Sequence, residues 1–418
     1  MEVGPTTCAG IGGSWSSGSC SLSSPYTVEQ GETLVVKPGV TLELATYYEN
    51  NLTLMNEGTV VNNGTIALNN GQVINLATFI SSGNFSVDGV LRDTSVLNHG
   101  NFTNHGNFTI FAAWGIGVLN TGSFVNSGTI TLSNSDESTG IDNEGTLVNY
   151  GTIIVSSWPA EVNGVSEGIL NEAVTGPATF VNRGTIVVSD ADLSVGISNF
   201  ANGAAASFIN GGNITVRSLG AGSTGIQNEA ENEGYATFTN DDVGRITLLN
   251  RVKSSVGITN LDAIISNLGT ILVSNVGGTG LWNIGGGAIV NIGIVVNKGT
   301  IVNNATFSNC GGTTVGPIPT SGNSIVWCAS TLITSTSVHT ETSSQSAETG
   351  QVGGVSESLL LSAIVVLAAF AFSLGYLFAR SRFSNNTSSR VGLKDHFNPV
   401  SIRLDLAPGV MLYDSNSS

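Results

Sequence analysis

Three pairs of acidic residues have a spacing that could support acid–base chemistry. They are Glu144 with Glu172, which occupy matching places in neighbouring sequence repeats, Asp190 with Asp192, and Asp241 with Asp242 beside Arg245. Paired carboxylates are the groups with which polysaccharide hydrolases and lyases move protons. Basic residues are too sparse to line a groove for an acidic sugar, so we interpret these carboxylates as solvated charges that keep the protein soluble.

Two histidines form the other candidate pair. His99 and His105 stand at equivalent places in the duplicated segment NHGNFTNHGNF, and two imidazoles could bind a transition metal. A repeat that duplicates its own turn explains both histidines without a ligand role. The sequence therefore predicts no catalytic residue, no cofactor and no metal site.

The composition indicates which elements must position these side chains. Of 418 residues, 13 are Lys or Arg, 29 are Asp or Glu and 54 are Gly. Long amphipathic helices need charged faces and strong helix formers, and the tracts of Asn, Gly, Thr, Val and Ile supply neither. We therefore expect strands and turns to dominate the fold.

Three short apolar phrases recur along most of the chain. One phrase is GIxN, as at Gly140 and Gly196, and another ends in Asn, as in SFVN at Asn126. The third begins with a Gly-Thr-Ile-like run, at Gly64, Gly83, Gly106, Gly128, Gly151, Gly184, Gly212, Gly244, Gly269 and Gly299. Successive glycines in this series are 19 to 33 residues apart. Units of this length cannot bury their own apolar face, so they stack on one another.

Three strands per unit describe one coil of a parallel β-helix. We predict an all-β, right-handed parallel β-helix of about 10–12 coils. In GTIIV, Ile153 and Val155 are predicted to face the core, with Thr152 and Ile154 facing outward. Corner glycines are expected to supply positive φ, and corner asparagines to pair with one another as a ladder.

The repeats end before the C-terminus, and the rest of the chain differs in composition. Among residues 330–346, 11 of 17 are Ser or Thr, which predicts a flexible stalk. The predicted organisation is an N-terminal cap with the first coil at 1–45, β-helix repeats at 46–309, a C-terminal cap at 310–329, the stalk at 330–357, a transmembrane helix at 358–379 and a cytoplasmic tail at 380–418.

The predicted membrane span consists of 22 residues without a charge. At about 1.5 Å per residue, a helix of this length crosses a hydrocarbon core of roughly 30 Å. A buried core helix is the less favoured alternative, because soluble helices rarely lack a polar face over such a length. Four basic residues follow closely, which predicts a cytoplasmic tail and an external N-terminal region: Arg380, Arg382, Arg390 and Lys394.

The predicted ectodomain, residues 1–357, is strongly acidic. It carries 26 acidic and 8 basic residues, whereas the remaining residues carry 5 basic and 3 acidic ones. An acidic surface repels phosphate, so nucleic acid is not an expected partner. The first residues, MEVGP, lack the basic and apolar regions of a signal peptide. Either the start has been trimmed or assigned too late, which we favour, or the C-terminal span directs insertion.

The four cysteines, Cys8, Cys20, Cys310 and Cys328, lie near the two ends of the repeats. An even count in an external domain predicts two local disulfides, although three pairings are possible. A zinc site is disfavoured because no Cys-x-x-Cys pair exists, and inert free thiols remain the alternative. Candidate glycosylation sequons begin at Asn51, Asn63, Asn84, Asn101, Asn107, Asn213 and Asn304.

The repeats carry a resemblance to known surface proteins. NxGTI runs with intervening FxN strands, over about residues 34–309, resemble the passenger repeats of autotransporter and filamentous-haemagglutinin-type proteins. The segment GGAIVN at 286–291 is similar to motifs of polymorphic outer-membrane proteins. Because one helical span is the predicted anchor, the closer likeness is to β-helix proteins held in a cytoplasmic membrane, such as archaeal envelope proteins. The resemblance implies a β-helical fold displayed at the cell surface.

The favoured function is a membrane-anchored β-helical rod that acts as an adhesin or structural envelope protein. Its expected partners are cell-envelope or cell-surface glycans or proteins and the membrane, with self-association as a further possibility. A surface enzyme that processes polysaccharide is the alternative. The longer repeats carry insertions after GIxN and after GTIxV, which we expect to form loops at fixed corners. Loops on a rigid scaffold usually carry recognition, so the predicted contact residues are Trp158, Asn202, Glu229, Tyr235 and Lys253.

Overall fold

The structure is a computed structural model, which describes residues 1–45, 52–91, 94–134, 138–157, 166–189, 195–217, 221–249, 254–275, 278–317, 319 and 321–328. The predicted stalk, transmembrane helix and tail lie outside these residues. None of the helices in the described ranges is long and apolar enough to cross a membrane.

One short helix, α1 (Pro5–Gly10), precedes a long series of strands. The first two strands are β1 (Ser14–Ser16) and β2 (Ser19–Leu22). The following strands are β3 (Tyr26–Val28), β4 (Thr33–Val36), β5 (Thr41–Ala45), β6 (Leu52–Asn56), β7 (Thr59–Asn62), β8 (Thr65–Asn69), β9 (Gly71–Asn75), β10 (Thr78–Ser81), β11 (Asn84–Leu91), β12 (Val96–Asn98), β13 (Asn101–Asn104), β14 (Asn107–Trp114), β15 (Ile116–Asn120), β16 (Ser123–Asn126), β17 (Thr129–Asn134), β18 (Thr139–Asn143), β19 (Thr146–Asn149), β20 (Thr152–Ser157), β21 (Glu167–Ala173), β22 (Ala178–Asn182), β23 (Thr185–Ser189), β24 (Val195–Asn202), β25 (Ala205–Asn210), β26 (Asn213–Arg217), β27 (Thr224–Glu231), β28 (Tyr235–Asn240), β29 (Arg245–Leu249), β30 (Val256–Leu261), β31 (Ile264–Asn267), β32 (Thr270–Val273), β33 (Thr279–Ile284), β34 (Ala288–Asn291), β35 (Ile294–Asn297), β36 (Thr300–Asn303), β37 (Thr306–Asn309), β38 (Thr313–Val315), β39 (Ser321–Gly322) and β40 (Val326–Trp327).

These strands build three sheets, and each sheet takes every third strand. The first face runs from β3 through β6 to β39, the second from β4 through β7 to β40, and the third from β1 and β2 through β5 to β38. From β2 onward the described strand pairs are parallel. The described chain therefore forms twelve complete coils, β3 to β38, of a parallel β-helix, with partial coils at both ends, as predicted. The three turns of each coil are called the first corner, after the first face, the second corner, after the second face, and the third corner, after the third face.

Alternation along each strand fills the core, as predicted for GTIIV. Ile153 and Val155 are fully buried, whereas Thr152 and Ile154 are only partly buried. In-register stacking then places like residues on one another, so that Phe79 stacks on Phe102 with ring centroids 4.6 Å apart. Because this spacing matches the distance between neighbouring strands, the register itself produces the ring stack, which adds about 0.5–1.5 kcal/mol per pair beyond burial.

Two continuous ladders of buried asparagine run along the first and second corners. In the first-corner ladder each side-chain amide donates to the asparagine of the next coil over 2.6–2.9 Å, from Asn56 through Asn75, Asn98, Asn120, Asn143, Asn171, Asn199, Asn228, Asn260 and Asn283 to Asn303. The second-corner ladder has distances of 2.7–2.8 Å and runs from Asn104 through Asn126, Asn149, Asn182, Asn210, Asn240, Asn267 and Asn291 to Asn309. The predicted ladder is confirmed. Each unpaired buried group would cost about 1–3 kcal/mol.

The expectation of positive φ at the corner glycines is wrong. The repeated glycines of the second corner are absent from the described residues with positive φ. Their requirement is steric, because a Cβ on Gly83 would lie 2.0 Å from the carbonyl oxygen of Gly64, and one on Gly151 would lie 2.0 Å from that of Gly128. Glycine therefore lets the backbones of successive coils approach at this corner.

The insertions predicted after GIxN form extensions of the first face rather than irregular loops. We call them together the alanine ridge, defined as residues 171–178, 199–206 and 228–236. Their small side chains, together with Ala263 of the next coil, form a second buried cluster apart from the main core: Ala173, Ala178, Ala201, Ala206, Ala230 and Ala236. The insertions after GTIxV follow the third face, and most of their residues lie outside the described ranges.

Disulfides join residues at both ends of the coils. Cys8 is bonded to Cys20 with their Cα atoms 5.6 Å apart, and Cys310 is bonded to Cys328. These are the local pairings that the positions of the cysteines favour, and the described chain has no free cysteine. The first bond ties α1 to β2, and the second ties the residue after β37 to the residue after β40.

Candidate functional site

The alanine ridge carries three of the predicted contact residues. Its register aligns Asn202 with Glu231 and Ala205 with Tyr235 in the next coil. The Asn232 amide donates to Asn202 Oδ1 over 2.7 Å, which ties two turns of the ridge together. Tyr235 is 55% exposed, so its ring is open to a partner.

The turns of the ridge need unusual backbone conformations. Gly203 has a φ of 84°, while Asn232 and Glu233 have φ of 48° and 67°. These conformations favour Gly and Asn, as at Gly203 in the turn sequence ANG and at Asn232 in the turn sequence ENEG. The turns rest on a cluster of buried alanines. Alanine has no side-chain rotamers to order, so this base packs at little cost in conformational entropy. The ridge is thus a set of exposed turns on a packed base.

Glu229 lies on the outer side of the ridge among other acidic groups. The Gln227 amide donates to Glu229, and Asp262 accepts a hydrogen bond from the backbone of Gly286. Burial, with help from Glu231 and Asp262, raises the pKa of Glu229, and the bond from Gln227 opposes that change. Polar contacts to a partner would therefore meet a concentrated negative charge at this edge.

Two other predicted contact residues, Trp158 and Lys253, lie outside the described residues, as do Asp190 and Asp192. All four follow strands of the third face, where the chain lengthens between coils.

Glu144 and Glu172 are brought together by the structure, and a third carboxylate joins them. One ligand atom from each of Asp142, Glu144 and Glu172 lies within 4.8 Å of the others. Strand pairing explains the meeting, because β18 and β21 align Asn143 with Asn171, so the residues that follow these asparagines stack at the first corner. The group of Asp142, Glu144 and Glu172 is called the acidic triad.

Crowding among these carboxylates perturbs their titration. Burial, followed by Glu144, Glu172 and Glu167, raises the pKa of Asp142 to about 7. Burial and Glu172 raise the pKa of Glu167 to about 7. Burial and then Glu144 raise the pKa of Glu172. A carboxyl with a pKa near neutrality exchanges its proton readily or accepts another cation.

The sequence did not single out Asp142 or Glu167. Asp142 occupies the variable position of a GIxN phrase, where neighbouring coils have Leu119 and Leu170. The sequence could have indicated Asp142, because it places a charged residue where the neighbouring repeats have leucine. Glu167 lies five positions before Glu172 on the same strand, and its burial, which raises its pKa, arises only in the folded chain.

Asp241 and Asp242 lie in a second-corner turn next to Arg245. Burial and then Asp242 raise the pKa of Asp241, while Arg183 opposes the change. Asp242 accepts a hydrogen bond from the backbone amide of Val243 over 2.9 Å. Within the described ranges, neither aspartate forms an ion pair with Arg183 or Arg245. The contact that Asp242 makes here therefore lies within its own turn.

The two histidines are separated by the geometry of the coil. His99 follows β12 at the first corner, and His105 follows β13 at the second corner. Nδ1 of His99 lies 2.6 Å from the Thr121 hydroxyl, and Nδ1 of His105 lies 2.5 Å from the Ser127 hydroxyl. Each imidazole is thus hydrogen-bonded to the next coil at its own corner.

The sequon asparagines avoid the buried ladders. Asn51 lies outside the described residues, and the other six sequon asparagines are all exposed. Asn84 and Asn107 line a surface depression of about 350 Å³ on the third face, and the Asn107 amide donates to Asn84 Oδ1 over 3.2 Å. Exposure keeps these side chains accessible to modification.

Comparison with known proteins adds a family to this geometry. The model of the BigA fourth domain matches residues 41–307, which contain most of the coils and the whole alanine ridge. No curated protein and no solved structure matches the chain. With three faces of parallel strands over the matched residues, the chain belongs to the BigA fourth-domain family.

Proposed function

We propose that this protein is a membrane-anchored cell-surface rod that acts as an adhesin or structural envelope protein. The observation that carries the proposal is the alanine ridge, a rigid base that holds exposed turns on a β-helix. The match to the BigA fourth-domain family supports a surface-displayed β-helix. The partner is a glycan or protein of a cell envelope.

The ridge suits recognition because its turns are already ordered, so a partner loses little binding free energy in ordering them. Its turns are fixed by parallel pairing to neighbouring coils, so a partner meets a preorganised surface. Tyr235 presents a large amphipathic ring, a side-chain type that often dominates binding energy. Val174, 43% exposed, supplies apolar surface on the first turn of the ridge.

The test is co-sedimentation of residues 1–333 with intact cells and isolated envelopes from the natural source. This fragment retains every described strand and its partners. We expect saturable sedimentation, and Tyr235→Ala should weaken it by about thirtyfold, the loss that corresponds to a binding hot spot of about 2 kcal/mol. Circular dichroism of each protein verifies that the β-helix has folded.

Tyr150→Ala is the matched control. Tyr150 is 56% exposed but lies at the second corner of an ordinary coil, so its removal should leave sedimentation unchanged. Equal losses in both variants would point to nonspecific adhesion. If folded wild-type fragment fails to sediment, the binding proposal is wrong and a passive spacer remains.

The anchor is part of the proposal and has its own test. Residues 358–379 would cross the membrane, with residues 1–357 outside and 380–418 inside. Protease added to intact cells should digest the stalk and release the β-helix while sparing a tag on the C-terminus. Loss of the tag with a protected β-helix would reverse the orientation.

The acidic triad supports polysaccharide processing as a second candidate function. Two or more carboxylates within 4.8 Å, with raised pKa values, could divide acid and base roles. Folded protein would then release new reducing ends from envelope polysaccharide, and Glu144→Gln should abolish the release. A reaction lost instead on changing both Asp241 and Asp242 to Asn would move the site to the second corner.

A further inference from the structure

Asp142 is a buried carboxylate with an oxygen that has no partner. The residue is 7% exposed, and its Oδ1 is buried without a hydrogen bond in the described structure. It lies on the outward side of the first face between Leu119 and Leu170, and neither side chain can donate a hydrogen bond. An unpaired buried charge costs far more than a buried apolar group, so this carboxyl must either hold its proton or be paired with a cation.

The protein itself supplies no such cation in the described ranges. The charged groups that act on the Asp142 carboxyl are Glu144, Glu172 and Glu167, all of them acidic. Glu144 and Glu172 are half-buried, so the triad has one buried member and two members reaching toward solvent. Three like charges at this distance repel one another strongly unless something positive lies between them.

We propose that the acidic triad binds a divalent cation, with calcium as the ion that its geometry fits. The three carboxylates provide oxygen ligands, which hard cations such as calcium prefer. Calcium binds oxygen at about 2.3–2.6 Å, so ligands on opposite sides of the ion stand about 5 Å apart, whereas magnesium requires about 4.2 Å. The ligand atoms of the triad all lie within 4.8 Å of one another, close enough for one ion to reach all three after small side-chain rotations. Calcium tolerates such irregular ligand positions, whereas magnesium demands near-ideal octahedral geometry.

The bound ion would join two coils at the foot of the alanine ridge. Asp142 and Glu144 belong to the coil of β18, whereas Glu172 belongs to the coil of β21, where the first turn of the ridge begins. Calcium would therefore fix the ridge to the regular coils below it. Water molecules complete the coordination on the open side, since calcium takes 6–8 oxygens.

The experiment is a titration of the full chain, purified in detergent and stripped with a chelator, with calcium chloride and separately with magnesium chloride. Calorimetry should show one calcium site with a dissociation constant of about 10⁻⁴ M and weaker magnesium binding. Saturating calcium should raise the melting temperature by roughly 3 °C or more. Asp142→Asn should weaken calcium binding at least tenfold and abolish the thermal shift.

The difference in melting temperature between Asp142→Asn and wild type should change sign when calcium is added. Simple structural damage would lower the melting temperature of the variant in both conditions. Without calcium, Asp142→Asn should melt at a higher temperature than the wild type, because one repelling charge is gone. With calcium, the order should reverse. Glu229→Gln is the matched control, since it removes one carboxylate two coils beyond Glu172, in the same column of the first face as Glu172, and should leave calcium affinity unchanged.

Three results would overturn the proposal. They are wild-type protein that binds no calcium up to about 10 mM, equal affinity in wild type and Asp142→Asn, and a wild-type melting temperature that responds to pH but not to calcium. If Asp142→Asn does not fold, Glu144→Gln and Glu172→Gln replace it. Each removes a half-buried ligand and should weaken calcium binding at least tenfold.

Discussion

The second corner and the alanine ridge, which replaces the first corner in three coils, turn the chain in opposite ways. At the second corner, glycine follows the ladder asparagine in nearly every coil, and a Cβ on Gly151 would lie 2.0 Å from the carbonyl oxygen of Gly128. In the ridge the chain leaves the coil, turns and returns on buried alanines, and a Cβ on Gly176 would meet nothing within 4 Å. Gly151 thus has no room for a Cβ, whereas Gly176 at the first turn of the ridge has open space around it.

The difference shows that the ladder, and not the turn, maintains the first corner. Asn143 donates to Asn171, Asn171 to Asn199 and Asn199 to Asn228 without a break beneath the ridge. Asn143 also donates to the carbonyl of Gly145, two residues ahead. In the ridge coils the insertions take up this place, yet the bonds between coils persist. Insertions at the first corner can thus be accommodated without breaking the asparagine ladder that joins successive coils.

The largest effect is expected at the second corner. Gly151→Ala should lower the free energy of unfolding of residues 1–333 by about 4 kcal/mol, because the backbones of two coils must separate to admit a methyl group. Gly176→Ala, in the ridge, should change it by less than about 0.5 kcal/mol. Denaturant unfolding followed by circular dichroism measures both. Equal effects would remove the contrast between the two turns.

A smaller and equal effect is expected when either ladder is interrupted. Asn149→Ala in the second-corner ladder and Asn199→Ala beneath the ridge should each cost about 2–3 kcal/mol, because a donor and an acceptor lose their partners. Asn202→Ala removes an exposed pairing with Asn232 and should cost less than about 1 kcal/mol. A negligible loss at Asn199 would show that the ridge, after all, supports its own corner.

The smallest effect concerns charge on the ridge. Because the folded state raises the pKa of Glu229, native protein holds that proton more tightly than the unfolded chain. Stability from this group is therefore present below the ordinary pKa of 4.5 and declines as the pH rises through and above it. Glu229→Gln should be more stable than wild type at neutral pH by a few tenths of a kcal/mol, since the group is partly exposed. Thermal melts across pH should show this gap closing in acid; a constant gap would contradict the titration.

Much of the architecture followed from the repeats. The three phrases predicted three strands per coil, and the alternation in GTIIV predicted which side chains reach the core. The asparagine ladder was also predicted, since identical residues at a fixed interval must stack when coils stack. The role of the corner glycines was predicted wrongly, because the close approach of two backbones from different coils cannot be read from local turn preferences.

The candidate site was predicted less completely. Sequence position suggested that Glu144 and Glu172 match, but Asp142 lay hidden at a variable place in a repeated phrase. Its burial depends on what surrounds the first face, and its meeting with Glu172 depends on the pairing of β18 with β21. Similarly, the insertions were expected as loops, whereas parallel pairing between successive insertions turned them into a ridge.

The sequence by itself determined the coil, its corners and the inward side chains. Repeats of this length bury their apolar residues only by stacking on one another, which also brings the repeated Asn and Gly residues into register. Tertiary structure decided where charges meet, which insertions pack on one another and why glycine is required at the second corner. Those outcomes arise between residues 20 to 30 positions apart, where the distance between atoms is fixed by strand register and not by neighbouring sequence.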